Sequence, residues 1–312
     1  MKIVLTGGCG YVGSRLTEAL LADGHQVTVV DALWFGNHLQ PHPALTVLQL
    51  DVRQAERIPL DGVEVLLHLA NVANDPCSEL DPKLSWEVNA LATMQLVEHA
   101  IRHGVRQLVY ASSGSVYGVK AEPRVTEDLP LVPISDYNKT KMISERVLLS
   151  YQDRIALQCV RPATVCGVSP RMRLDVAVNL LAHQALTRGR ITVLGGDQVR
   201  PNIHLADMVR VYQHFLGPAR DRTGLFNAGF ENLSILEIAR LVTRHVPARI
   251  EVQPSNDPRS YRLDSSRLLA TGFTPRHTVE DAVREIAEAH RAGALPDGDG
   301  CHNVRAMKRL AL

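Results

Sequence analysis

Seven residues near the start of the chain leave it few folds to adopt. A short β-branched and apolar run at 2–6 ends in Gly7-Gly8-Cys9-Gly10-Tyr11-Val12-Gly13, and apolar residues at helical spacing follow over 14–22. A strand that turns into a helix through this pattern uses its first glycine for the tight turn and its second for close backbone approach to a ligand. The third lets the helix pack on the strand. The helix N-terminus brings free amides and the positive end of the helix dipole, which suit a pyrophosphate. Gly7, Gly10 and Gly13, with Tyr11 and Val12 between them, are therefore candidate dinucleotide-binding residues.

The next segments continue the same logic. A second strand over 26–30 ends at Asp31, whose carboxylate can accept hydrogen bonds from an adenosine ribose and would repel a 2′-phosphate, which favours NAD over NADP. A third strand at 45–50 leads to Asp51-Val52, placed where an adenine could lie. A fourth spans 63–70, and its His68 reads as a buried, hydrogen-bonded core residue. Asp81-Pro82 predicts the start of one long amphipathic helix to about 103, carrying Trp86 and Asn89. His99 and His103 share a face of it without a third partner, so no metal site is expected. A fifth strand at 107–110 opens into Ser112-Ser113-Gly114-Ser115-Val116-Tyr117-Gly118, small hydroxyl residues at a strand's carboxyl end. Another buried strand at 155–160 ends in Arg161-Pro162. Strands alternating with helices predict a parallel sheet with helices on both faces.

Between these last two strands, a helix beginning near Ser135 carries Tyr137 and Lys141. Four residues apart, they share one face and can reach one pocket. A free phenol is only about 0.1 % ionised at neutral pH, and an adjacent ammonium would lower its pKa. Beyond Gly167 the pattern changes. Ser169-Pro170-Arg171-Met172-Arg173 forms a basic loop, with a helix expected at 174–188 and a strand at 191–194. Arg200-Pro201 precedes a helix at 205–216, 225–227 is a strand returning to the main sheet, and Ser234 and Thr278 start two further helices.

The 312 residues suit one large domain with a smaller companion, and a net charge of +1 provides no global field for nucleic acid or an anionic membrane. Anion binding must be local. Five scattered cysteines (Cys9, Cys77, Cys159, Cys166, Cys301) read as reduced packing thiols, and no stretch has eighteen consecutive apolar residues. These features predict a cytoplasmic protein with neither nucleic acid nor membrane as partner.

Taken in this order, the motifs resemble the extended short-chain dehydrogenase/reductases that act on nucleotide-sugars, and most closely their NAD-dependent epimerases. The resemblance spans nearly the whole chain. It implies an α/β architecture in which a Rossmann-type doubly wound parallel sheet (1–167 plus 204–230) binds the dinucleotide. A smaller mixed α/β C-terminal part (168–203 plus 231–312) binds substrate. By this resemblance Tyr137 is the general base, Lys141 holds the nicotinamide ribose and lowers the phenol's pKa, and Ser113 partners the reacting hydroxyl. Asp51, Val52, Leu69, Ala70, Asn71, Asn89 and Pro162 join the cofactor residues, while Ser115, Asn179, Arg200 and Arg259 contact substrate, the last three at its diphosphate. Arg171, Arg173 and Arg262 fit a solvated surface equally well and are not counted with them.

Two departures are notable: Asn71 stands where the family often has alanine, and Ala92 where it usually has glycine. Gly114-Ser115 occupy the place of the Asp-Glu pair with which related dehydratases eliminate water. The implied activity is epimerisation of a nucleotide-sugar, at C4, through a transient 4-keto sugar. The alternatives are a 4-keto reductase or dehydrogenase of the same family and, less favoured, a non-catalytic NAD and nucleotide-sugar binding protein. The resemblance also implies a homodimer through the helices at 81–103 and 135–151.

Overall fold

A computed structural model describes residues 1–255 and 260–310. Its main sheet has seven parallel strands in the order β3-β2-β1-β4-β5-β6-β10. They are β1 (Lys2–Thr6), β2 (Gln26–Asp31), β3 (Leu45–Gln49), β4 (Val65–His68), β5 (Gln107–Ala111), β6 (Ala156–Pro162) and β10 (Gly224–Ala228). β1, β4 and β5 are almost wholly buried, as continuous apolar runs covered on both faces must be. The strand order reverses between β1 and β4, and there the crevice at the carboxyl ends opens. Helices Tyr11–Ala22 and Leu205–Leu216 pack together on one face of the sheet.

The predicted helix from Asp81 is continuous but not uniform. Pro82–Trp86 and Ala92–Arg102 are α-helical, and between them Glu87–Leu91 forms a π-turn. Widening the turn displaces a backbone acceptor, the carbonyl of Asn89, which is satisfied by the hydroxyls of Thr93 (2.7 Å) and Ser144 (2.6 Å).

Four strands lie beyond the sequence reading. β7 (Thr164–Cys166), β9 (Val199–His204) and β11 (Glu231–Ser234) form a small sheet in the order β11-β9-β7, and β12 (Arg249–Gln253) pairs with β8 (Arg190–Leu194). Around them Ile191, Val193, Ile238, Val242, Val283 and Ile286 form a second core with helices Ala177–Arg188, Ile235–His245 and Val279–Arg291. The last two helices begin with capping boxes, Ser234 with Glu237 and Thr278 with Asp281. Leu263, Leu268 and Phe273 pack back into the core of the seven-stranded sheet. All five cysteines are buried free thiols, and among the described residues no helix is long and apolar enough to cross a membrane.

Candidate active site

A cleft of about 740 Å³ runs between the carboxyl ends of the main sheet and the second core. Its floor is the glycine turn. Gly7 has φ +75°, and a Cβ there would lie 2.6 Å from the backbone nitrogen of Ala70. A Cβ on Gly13 would lie 2.1 Å from the carbonyl oxygen of Gly7, so only glycine lets the helix start this close. The helix Tyr11–Ala22 begins at Gly10 with no side-chain cap, leaving its first amides open to the cleft.

Asp31, at the end of β2, lines the cleft. Its two oxygens accept from the amides of Cys9 (2.9 Å) and Leu33 (2.8 Å), which fixes the carboxylate, while burial raises its pKa despite these bonds. Asp51 and the buried Val52 follow β3 on the same wall, and Leu69, Ala70, Asn71 and Pro162 line the opposite side. Asn71 donates to the carbonyl of Leu69 (2.7 Å), whereas its buried Oδ1 has no partner among the described residues. A glycine cradle that any Cβ would fill, an anchored acid and an unmatched buried acceptor fit a dinucleotide. The glycine turn would hold the pyrophosphate, Asp31 the adenosine ribose, Asp51 and Val52 the adenine, and 69–71 the nicotinamide half.

The reacting groups converge from two elements. Ser135 caps the helix Asp136–Leu149 by accepting from Asn138 N (3.2 Å), which sets Tyr137 in the first turn and Lys141 one turn on. Ser113, at the end of the loop after β5, lies close enough to the Tyr137 phenol for its hydroxyl to lower that group's pKa. Its hydroxyl also lies 2.7 Å from that of Ser115, which donates to Asn138 Oδ1 (2.5 Å). A short hydroxyl chain thus fixes the phenol's partner.

Burial pushes the Tyr137 phenol up to about 12, opposed chiefly by the nearby Ser113 hydroxyl. Lys141 lies behind the cleft wall, its ammonium donating to the carbonyl of Ala111 (2.8 Å) and standing 5.9 Å from the Tyr137 ring. Burial pulls that ammonium down to about 7.

Other predicted residues lie deeper still. Asn89 is buried outside the cleft, where its side chain accepts from Val72 N (2.7 Å) and donates to Val72 O (3.2 Å) and Thr140 Oγ1 (3.1 Å). It ties the loop after β4 to the Tyr137 helix. The buried Asn179 accepts from Gly167 N (3.1 Å) and donates to Tyr11 Oη (3.0 Å) and to the carbonyl of Arg173 (2.8 Å). That amide braces the wall and does not line the cleft. Arg200 does line the cleft, from β9, and Arg259 falls outside the described residues. Sequence reasoning passed over Arg171 and Arg173, which both line the cleft, Arg171 being only 3 % exposed.

Residues 3–229 match the model of a family described as the NAD dependent epimerase/dehydratase family. A UDP-glucose 4-epimerase of Mycolicibacterium smegmatis is 31 % identical over 93 % of this chain and 99 % of its own length. The crystal structure of a Thermus thermophilus UDP-glucose 4-epimerase with NAD superimposes with a TM-score of 0.82 at 26 % identity, covering 93 % of this chain and 99 % of that one. TunA, an NAD-dependent NDP-hexosamine 5,6-dehydratase involved in tunicamycin biosynthesis, reaches a TM-score of 0.84 at 26 % identity, over 93 % and 98 % of the two chains.

Proposed function

This chain belongs to the NAD-dependent epimerase/dehydratase family, and on that premise we infer that it is a nucleotide-sugar epimerase that inverts C4 through a transient keto sugar. The observation that carries the reading is one cleft lined together by Ser113, Tyr137, the glycine turn and Arg200. Bound NAD supplies a reversible hydride acceptor for the ring carbon.

The chain's own residues handle the proton and the tether. Tyr137 takes the proton of the reacting hydroxyl, and Ser113, beside the phenol, aligns that hydroxyl. Proton return reverses the path. Ser115 orients the sugar. Lys141 holds the nicotinamide ribose from behind the wall, and Asn89 positions the Tyr137 helix. Arg200 and Arg259 hold the substrate's diphosphate while the ring turns about that tether. Asn179 supports this arrangement by fixing Tyr11 and Gly167. Neither Gly114 nor Ser115 offers a carboxylate for eliminating water.

The proposal divides the chain at 167/168, 203/204 and 230/231, with residues 263–273 packed back against the first part. It also comprises a cytoplasmic location and a homodimer joined through the helices at 82–102 and 136–149.

NMR of the purified protein with single UDP-, dTDP-, GDP- and CDP-sugars, without added reductant and with nicotinamide absorbance followed, tests the reading. One sugar is expected to convert to its C4 epimer with no net NADH. Accumulation of NADH with a keto or acid product, or no reaction until reductant and a keto sugar are supplied, would replace epimerisation by the one-way reaction. Tyr137→Phe is expected to slow conversion by about 10²- to 10⁴-fold.

A further inference from the structure

Arg171 is a cleft residue whose bonding is incomplete. Its guanidinium is buried, stacks 3.9 Å from the centre of the Phe35 ring, and gives one Nη2 bond (2.5 Å) to Asn303 Oδ1 on the C-terminal helix Asn303–Arg309. Its Nε has no hydrogen-bond partner, and among the described residues no carboxylate lies within ion-pair distance of it. Its neighbour Arg173 is matched, with a 2.9 Å ion pair to Asp175 whose other oxygen accepts from Asn303 N (3.0 Å). Of two guanidinium groups in one wall, the half-buried Arg173 has a carboxylate partner and the buried Arg171 has none among the described residues. A buried, unpaired cation is costly, and a planar guanidinium with a free N–H suits a phosphate oxygen.

A diphosphate could come from the cofactor or from the nucleotide-sugar, and position decides between them. Arg171 stacks on Phe35, four residues beyond Asp31 at the adenosine end, and the carbonyl of Arg173 accepts from Asn179, whose amide also holds Tyr11 of the glycine turn. We propose that Arg171, held in place by Asn303, and Arg173 clamp the pyrophosphate of NAD from the wall opposite the glycine turn and retain the cofactor through turnover. The cofactor would then be gripped from both sides, by open helix amides below and two guanidinium groups above. A C-terminal helix far away in sequence would serve as the brace.

This inference rests on NAD as the cofactor and not on the sugar or the carbon that reacts. The test is calorimetric titration of nucleotide-stripped protein with NAD, ADP-ribose and UDP. Alongside it, the NAD released on denaturing unstripped protein is counted per chain. Arg171→Gln is expected to weaken NAD and ADP-ribose alike by about 10- to 100-fold and to lower the co-purifying NAD, with UDP affinity unchanged. Asn303→Ala is expected to give a smaller loss in the same direction and carries the comparison should Arg171→Gln not fold. Unchanged NAD and ADP-ribose affinities would overturn the proposal. A loss confined to UDP would also overturn it, by assigning the pair to the substrate's diphosphate. A failed epimerase reading would leave these affinities as they are, so the two proposals fail separately.

Discussion

At the scale of single residues, burial outweighs local charge in this cleft. Tyr137 and Lys141 sit one turn apart, as their spacing requires, yet the ammonium is spent on the carbonyl of Ala111 and is itself pulled down to about 7. Among the phenol's neighbours, the hydroxyl of Ser113 is the group that most opposes the effect of burial. Burial acts in the same way on His68, held between the hydroxyls of Thr6 (2.7 Å) and Thr93 (2.9 Å) and pushed down to about 3. A histidine whose folded pKa lies below its unfolded value does not weaken the fold above about pH 6.5. Below that, the unfolded chain takes up a proton that the folded one refuses, so stability is lost as pH falls from about 6.5 towards 3. From pH 7 to pH 5 this group alone should cost about 2 kcal/mol. Urea unfolding at the two pH values should show that drop in the wild type, and His68→Gln should reduce it.

The elements easiest to predict were those fixed by local pattern. Buried apolar runs gave the strands of the main sheet, and the spacing of Gly7, Gly10 and Gly13 gave the cofactor floor. β9 and β11 escaped because their sequences, Val-Arg-Pro-Asn-Ile-His and Glu-Asn-Leu-Ser, are largely polar, although β9 is mostly buried, and one of them contains a proline. The π-turn escaped because its support comes from side chains on other elements, Ser144 among them. Arg171 looked like a surface residue because the partner that helps bury it is 132 positions away. Asn89, at the centre of the π-turn, joins three elements through one amide. Asn89→Ala should leave the backbone amide of Val72 buried and unpaired and destabilise the protein by about 1–3 kcal/mol, measurable as a lower denaturant midpoint with unchanged slope.

At the scale of the molecule, two adjoining helices leave apolar side chains uncovered. Trp86 and Leu91 on one and Ile143 on the other are between 37 % and 47 % exposed, while Leu148, another apolar residue of the second helix, lies fully in the core. Leu91→Glu combined with Ile143→Glu should convert the proposed dimer to a monomer by light scattering, with little change in the fold.

The route of the chain has a further consequence. It leaves the seven-stranded sheet after Pro162, returns for the helix Leu205–Leu216 and β10, leaves again, returns near Leu263, and after the helix Val279–Arg291 in the second core comes back with Met307 in one cluster with Val52 and Cys77. No single cut separates the sugar-facing wall from the cofactor-facing one. Recombination could not exchange the former as a cassette, since at least two segments would have to change together and stay in register. Substitution at single lining positions leaves this shared routing intact, whereas removing the helix Asn303–Arg309 would take Asn303 out of the cleft wall and Met307 from behind it.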